Sequence, residues 1–285
     1  MDGPSAVGFG ILIPALIAGI VLLVSARRAR GEPAVPRPIA GALALGLGYL
    51  VAHAGLKAFP AWPWSDDQLD MLSKVYWMIA AAILLAPLRG TSFLARYGNS
   101  LYVALFAILP YHYVRAAGEP RSGLDLAGFG SVLLVYGIWM SLERLASRRP
   151  GPSLPIALWG ASVGTAAMLL ANTSALQAQI VGSLAAGLGA AVVVALIVRG
   201  SHLASGAVAI LAVAIGAGVR NAVIYDLPTV CWVLVAAAFA GPWLGEIPSL
   251  RQRSPRFAGL VAFLAAFVPA AAAAWLAYDA RAPSA

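Results

Sequence analysis

The chain has 285 residues, of which 61% are hydrophobic and 11% charged, with a mean hydropathy of +0.85, against roughly 25% charged residues in an ordinary soluble domain. That balance excludes a soluble fold and leaves no room for a soluble catalytic domain beside the apolar runs, each of which needs about 20 residues to cross a bilayer. The formal charge of +8 sits in short clusters between those runs, where it orients a chain in a membrane rather than binding nucleic acid.

The expected fold is all-α and polytopic, because a bilayer offers no water to exposed backbone groups and open strands are not viable there. Ten apolar segments are marked off by polar or Pro/Gly punctuation, at about 6–26, 38–59, 66–88, 100–117, 124–146, 154–174, 177–198, 203–225, 229–247 and 257–278. The first begins after MDGPS, which carries Asp2 where a signal peptide carries lysine or arginine, so it is read as a spanning helix. The third and fourth have the shortest apolar cores, Val75 to Leu88 and Leu101 to Tyr111; eight or nine spans remain as alternatives.

Charge decides the orientation. With the N-terminus external, Arg27, Arg28, Arg30 and Arg37 fall in the first cytoplasmic link, Arg89 and Arg96 in the second and Arg144, Arg148 and Arg149 in the third. Arg199 follows in the fourth, and Arg251, Arg253 and Arg256 in the last, which makes 13 of the 19 basic residues. Ten spans with both termini outside obey the positive-inside rule, and the arginine-, alanine- and glycine-rich composition fits a bacterial cytoplasmic (inner) membrane.

The whole chain, 1–285, is expected to form one transmembrane domain. The basic, proline-containing link 147–153 divides it into two five-helix halves, 1–147 and 153–285, and an odd number per half would orient them oppositely, as in inverted-repeat transporters. In length and span count the chain resembles the ten-helix drug/metabolite transporters. That family is expected to keep both termini inside and shares no motif with this sequence, so membership is not assigned.

Polar groups inside apolar spans are costly and mark the places to look for function. His53 and Lys57 lie four apart on the second segment, and His112 and Arg115 lie three apart on the fourth, so each pair shares one helix face. Arg220 and Asn221 sit about one turn before the outer end of the eighth segment. Together these six residues are the candidate ligand-binding set, suited to a phosphate or carboxylate head group because arginine offers a planar fork of donors and lysine a point charge. The competing account is snorkelling of cations toward head groups beside Tyr111, Tyr113 and Tyr225.

Other patterns have local explanations. In the stretch 59–74, Asp66, Asp67 and Asp70 read as an acidic cluster, but Ser65 to Gln68 fits a capping box that places Asp66 and Asp67 in a first helical turn. Gly160-Ala161-Ser162-Val163-Gly164 matches G-x-S-x-G inside an expected helix, where a nucleophile elbow cannot form. Arg148-Arg149-Pro150 and Arg199-Gly200-Ser201-His202 contain fragments similar to membrane lipid phosphatases without the P-S-G-H element that would complete them. Small-residue spacings at Gly182, Ala186 and Ala190, and at Ala212 and Gly216, permit tight helix crossings. Glu143, next to Arg144 near the end of the fifth segment, reads as an interfacial pair. A single cysteine, Cys231, excludes an intrachain disulfide, and three histidines without ligand spacing suggest no metal and no cofactor. No nucleophile, base and oxyanion set can be assembled, which argues against an enzyme.

The expected function is therefore transport or handling of an anionic or amphipathic, lipid-like ligand from the outer face, with membrane lipids as neighbours. The alternative is a non-catalytic accessory subunit that docks a membrane-protein partner. Nucleic acid is not an expected partner.

Overall fold

The computed structural model describes residues 7–28, 38–57, 60, 71–87, 126–148, 151–172, 175–198, 205–224 and 227–281. Among these the structure is helical, with no strand. Helices occupy nine of the ten marked apolar segments, and the remaining one, 100–117, lies outside the described residues. The helices are α1 (Ile13–Arg28, led by a π-turn at Gly8–Leu12), α2 (Pro38–Lys57), α3 (Met71–Leu85), α4 (Leu126–Arg148), α5 (Ser153–Asn172), α6 (Ala175–Ile197), α7 (Ser205–Ile224), α8 (Thr229–Ala240, continued as a 3-10 segment Gly241–Glu246), the short α9 (Pro248–Arg253) and α10 (Pro255–Asp279).

Local chemistry sets many of the boundaries. Pro14 has no N–H to give its fourth predecessor, and the turn before it widens so that the Ile13 N–H bonds the Gly8 carbonyl. Pro38, Pro248 and Pro255 stand at the first positions of their helices, where a missing donor costs nothing. Ser254 caps α10 by accepting from the Arg256 N–H at 3.2 Å. Between α4 and α5 the chain turns at Gly151 with φ of +110°, a conformation that side-chain-bearing residues rarely adopt.

Six helical stretches among the described residues are long and apolar enough to cross a membrane: Gly8–Ala26, Ile39–Leu56, Ser153–Asn172, Ala175–Ile197, Thr229–Glu246 and Arg256–Asp279. Two shorter apolar helices, Leu72–Leu85 and Gly206–Val219, pack among them. A helix apolar on every side either fills a core or meets lipid. Both occur here, since Ala18 is buried while Leu12, Leu16 and Ile20 of the same helix are exposed.

Contacts between neighbours run in register and fix the directions. Gly55 abuts Phe9 and Gly48 abuts Pro14, so α1 and α2 are antiparallel; Gly46 meets Ile83 while His53 reaches Leu72, so α2 and α3 are antiparallel too. By contrast α5 and α10 run parallel along their whole length, Ser153 beside Gly259, Gly164 beside Ala270 and the Arg281 guanidinium donating to the Asn172 carbonyl. Gly187 of α6 touches Leu45 and Ala18, and Gly218 of α7 touches Leu169 and Val181, which ties both groups into one body. The ends of α2, α5, α7 and α10 and the starts of α1, α3, α6 and α8 therefore share one face of the bundle, called here the near face. Among the described residues, successive long helices alternate in direction from α1 to α3 and from α4, which leads through Gly151 into the far-face start of α5, to α10.

The closest packing lies between α5 and α10. Ala258, Ala262, Ala266, Ala270, Ala273 and Ala277 form a buried stripe on α10; Gly164 meets its Ala270, and Gly160 meets the neighbouring Phe263 and Phe267. Gly160 leaves room for Phe263, which stacks on Phe267 at 5.4 Å and on Trp159 at 6.3 Å. The glycine pair of the G-x-S-x-G match is thus a helix-packing element. On α6, by contrast, a Cβ added at Gly182 would meet nothing within 4 Å, and the tight approach is made by Gly187. Gly216 makes only ordinary contact with Val135 of α4, at 3.9 Å.

Candidate functional site

The second segment's histidine is deeper than its position near a helix end suggests. His53 is fully buried between α2 and α3. Its Nε2 lies 3.1 Å from the Leu72 carbonyl oxygen, and its ring is flanked by Tyr76 at 5.1 Å and Tyr49 at 6.3 Å. Tyr49 and His53 share a face because they are four apart, and the antiparallel α3 presents Leu72 and Tyr76 at the same spacing opposite them. Ser73 and Tyr76 are buried there as well, and Tyr76 meets Trp77 edge-on. This knot of polar and aromatic groups joins α2 to α3 one turn below Lys57.

Lys57 is the last residue of α2, and Arg220 and Asn221 occupy the last turns of α7; the side chains of all three lie outside what the structure describes. Because α2 packs against α7 and both end at the near face, the backbone brings these three positions to the same end of two adjacent helices. Arg281 joins them at that face, where it donates to the last carbonyl of α5, a favourable place for a cation at a helix C-terminus. His112 and Arg115 lie outside the described residues, as do the 61–70 stretch with its aspartates and capping box, and Thr173 and Ser174 of the hairpin between α5 and α6.

The far face carries exposed Arg144, Arg148 and Arg256. Glu143 and Arg144 differ in burial. It is buried on the side of α4 that also buries Trp139, Leu142 and Ala146, while Arg144 is exposed. Consecutive helical residues point about 100° apart, and α4 runs more than a turn beyond Glu143 to Arg148, so the carboxylate belongs to the bundle interior and the guanidinium to its surface. Sequence spacing contained this signal, since Trp139, Leu142, Glu143 and Ala146 fall at the i, i+3, i+4, i+7 positions of one face.

Cys231 is buried as a free thiol near the start of α8. Among the described residues no three histidine, cysteine, aspartate or glutamate side chains gather into a metal-binding group.

Fold and surface together define a helical membrane protein, with apolar helices in contact and Trp275 and Tyr278 exposed near the near-face end of α10, the level at which aromatic belts form. Comparison with protein-family models, with curated proteins and with solved structures gave no match.

Proposed function

We propose that this chain is a ten-span protein of a bacterial cytoplasmic membrane, with both termini external, that receives an anionic or amphipathic, lipid-like ligand at its outer face for transport or handling. The near face is the outer one in this reading. Supporting the orientation, Arg144, Arg148 and Arg256 are exposed at the far face, the side a positive-inside rule assigns to the cytoplasm. Supporting the count, α3 ends at the far face and α4 begins at the near one, which calls for one further crossing between them.

The observation that supports the ligand reading is the adjacency of α2 and α7, two helices that carry Lys57 and Arg220–Asn221 at their near-face ends. Two cations on neighbouring helix ends, with Arg115 supplied from the fourth segment, make a head-group site for phosphate or carboxylate. Snorkelling would leave the same cations separate and exchangeable.

The test is binding of a fluorescent phosphatidic acid, with phosphatidylcholine as the neutral control, to the full chain in lipid nanodiscs. Arg220→Gln and Lys57→Gln are each expected to weaken the anionic lipid about tenfold, the equivalent of one charge-assisted hydrogen bond, while the protein stays monodisperse. Unchanged affinity in both variants contradicts the site. A stoichiometric protein partner co-purifying in native lipid would instead favour the accessory-subunit reading.

A further inference from the structure

Two prolines that lack the backbone donor of a regular helix stand close together on neighbouring helices. In α10, Pro269 stands inside the helix without an N–H, so it gives no bond to the Ala265 carbonyl four residues earlier. In α8, Pro242 equally gives none to Ala238, and from Gly241 the helix tightens to 3-10 geometry, the Gly241 N–H being shared between the Ala237 and Ala238 carbonyls. These two places touch. A Cβ built on Gly241 would lie 2.6 Å from both the carbonyl carbon and the oxygen of Ala265, so the released carbonyl lies directly against the α8 backbone, and only glycine permits the approach.

Beyond this point the segment Gly241–Glu246 is held by small residues. Gly245 rests on the Ala262 methyl and the Ala258 carbonyl, where a Cβ would fall 3.1 Å and 3.2 Å away. Two buried polar atoms have no hydrogen-bond partner among the described residues: Trp243 Nε1 on the segment itself and Ser162 Oγ on α5, which packs against it. Leu244 and Ile247 are exposed on the outer side. The backbone of the segment is held by 3-10 bonds, the Ile247 N–H to the Leu244 carbonyl at 3.3 Å among them, and its contact with α10 runs through glycine and alanine rather than interlocking side chains.

We infer that α8 and α10 share a hinge at Gly241 and Ala265–Pro269, about which the far parts of both helices, together with α9, swing relative to the near part of the bundle. Helix bending concentrates where a proline has already removed a bond, since no further bond has to break, and the gap in α10 lies at the level where α8 changes to 3-10 geometry, so the two packed helices can bend together. The movement opens the far face between α5 and α10, where Ser153 lies beside Gly259, while the near face stays closed by the contacts of Gly164 with Ala270 and of Asn172 with Arg281. This device does not depend on what the near face binds.

The test uses the full chain in nanodiscs with Cys231→Ser and nitroxide labels at Leu244→Cys and Tyr278→Cys, both exposed positions on opposite sides of the hinge. Pulsed electron–electron resonance is expected to give two distance populations, reduced to one by Pro269→Ala, which restores the missing donor. A Leu170→Cys and Tyr278→Cys pair, both on the near side, is expected to give one distance throughout. A single Leu244–Tyr278 distance in the parent, or populations that Pro269→Ala leaves unchanged, overturns the hinge. Hydrogen exchange on the unsubstituted protein gives a second reading: Trp243–Glu246 amides exchanging about tenfold faster than those of Trp232–Val235 support it, and equal protection overturns it.

Discussion

Gly164→Leu is expected to destabilise the folded bundle by about 2–3 kcal/mol, the upper part of the range for overpacking a close contact. A Cβ at Gly164 would sit 2.9 Å from the Ala270 carbonyl carbon and 3.2 Å from its Cα. Those are backbone atoms of a continuous helix, which no rotamer change can move aside, so α5 and α10 must separate. Separation weakens the Trp159–Phe263–Phe267 stack and the Arg281 contact to the Asn172 carbonyl, both of which depend on the parallel register. Association inside a bilayer gains little from hydrophobicity and rests on such packing. The reference is Gly182→Leu, where nothing lies within 4 Å; it carries the same gain in helix propensity and is expected to change stability by no more than about 0.5 kcal/mol. Unfolding by denaturing detergent from lipid discs measures both, and equal losses at the two positions would contradict the α5–α10 contact.

Trp139→Ala is the second large effect. The ring is 1% exposed and is the largest of the fully buried side chains, on the face of α4 that meets α7 and α8. In an aqueous core such a truncation costs roughly 3–5 kcal/mol, part of it the transfer of the side chain out of water. Here a detached α4 would expose the ring to lipid rather than water, so the transfer part shrinks and the lost dispersion contacts around the cavity remain. The expected cost is about 2 kcal/mol, with Trp139→Phe recovering roughly half because it refills much of the volume. The same detergent titration reads the difference, and a Trp139→Ala protein as stable as the parent would mean that α4 does not close over this ring.

The helices themselves are legible in the sequence because uninterrupted apolar runs ended by Pro38, Gly151-Pro152, Pro228 or Ser254-Pro255 leave few alternatives in a bilayer. Contacts are less so. Gly182, Ala186 and Ala190 look like a better crossing motif than Gly160 and Gly164, yet the latter pair makes the close contact because its partner surface, Phe263, Phe267 and Ala270 of α10, is supplied from the far end of the sequence. One helix's small residues do not say which other helix is flat enough to meet them. The alanine spacing of α10 marks a flat helix without naming its partners, since Ala258 and Ala262 meet Gly245 of the 3-10 segment while Ala270 meets Gly164 of α5.

Site residues divide the same way. His53 is recognisable as a polar group worth placing, but its hydrogen-bond partner is the Leu72 carbonyl, a backbone atom that no residue type announces. The neighbouring Arg144 suggests an interfacial place for Glu143, whereas its helical face, set by Trp139 and Ala146, carries it inward. For Lys57 and Arg220, the sequence supplies the chemistry and the helix ends, and the adjacency of α2 and α7 comes only with the fold.

In the proposed orientation the near face of the bundle is outside and the far face inside. Single cysteines at Arg281, Arg148 and Arg256, each exposed in the structure and each placed in a Cys231→Ser background, can be challenged with a membrane-impermeant maleimide on intact cells. Labelling at Arg281→Cys from outside, with Arg148→Cys and Arg256→Cys reacting only after the cells are opened, is the predicted result. Labelling of Arg148→Cys or Arg256→Cys on intact cells, or protection of Arg281→Cys there, would contradict it.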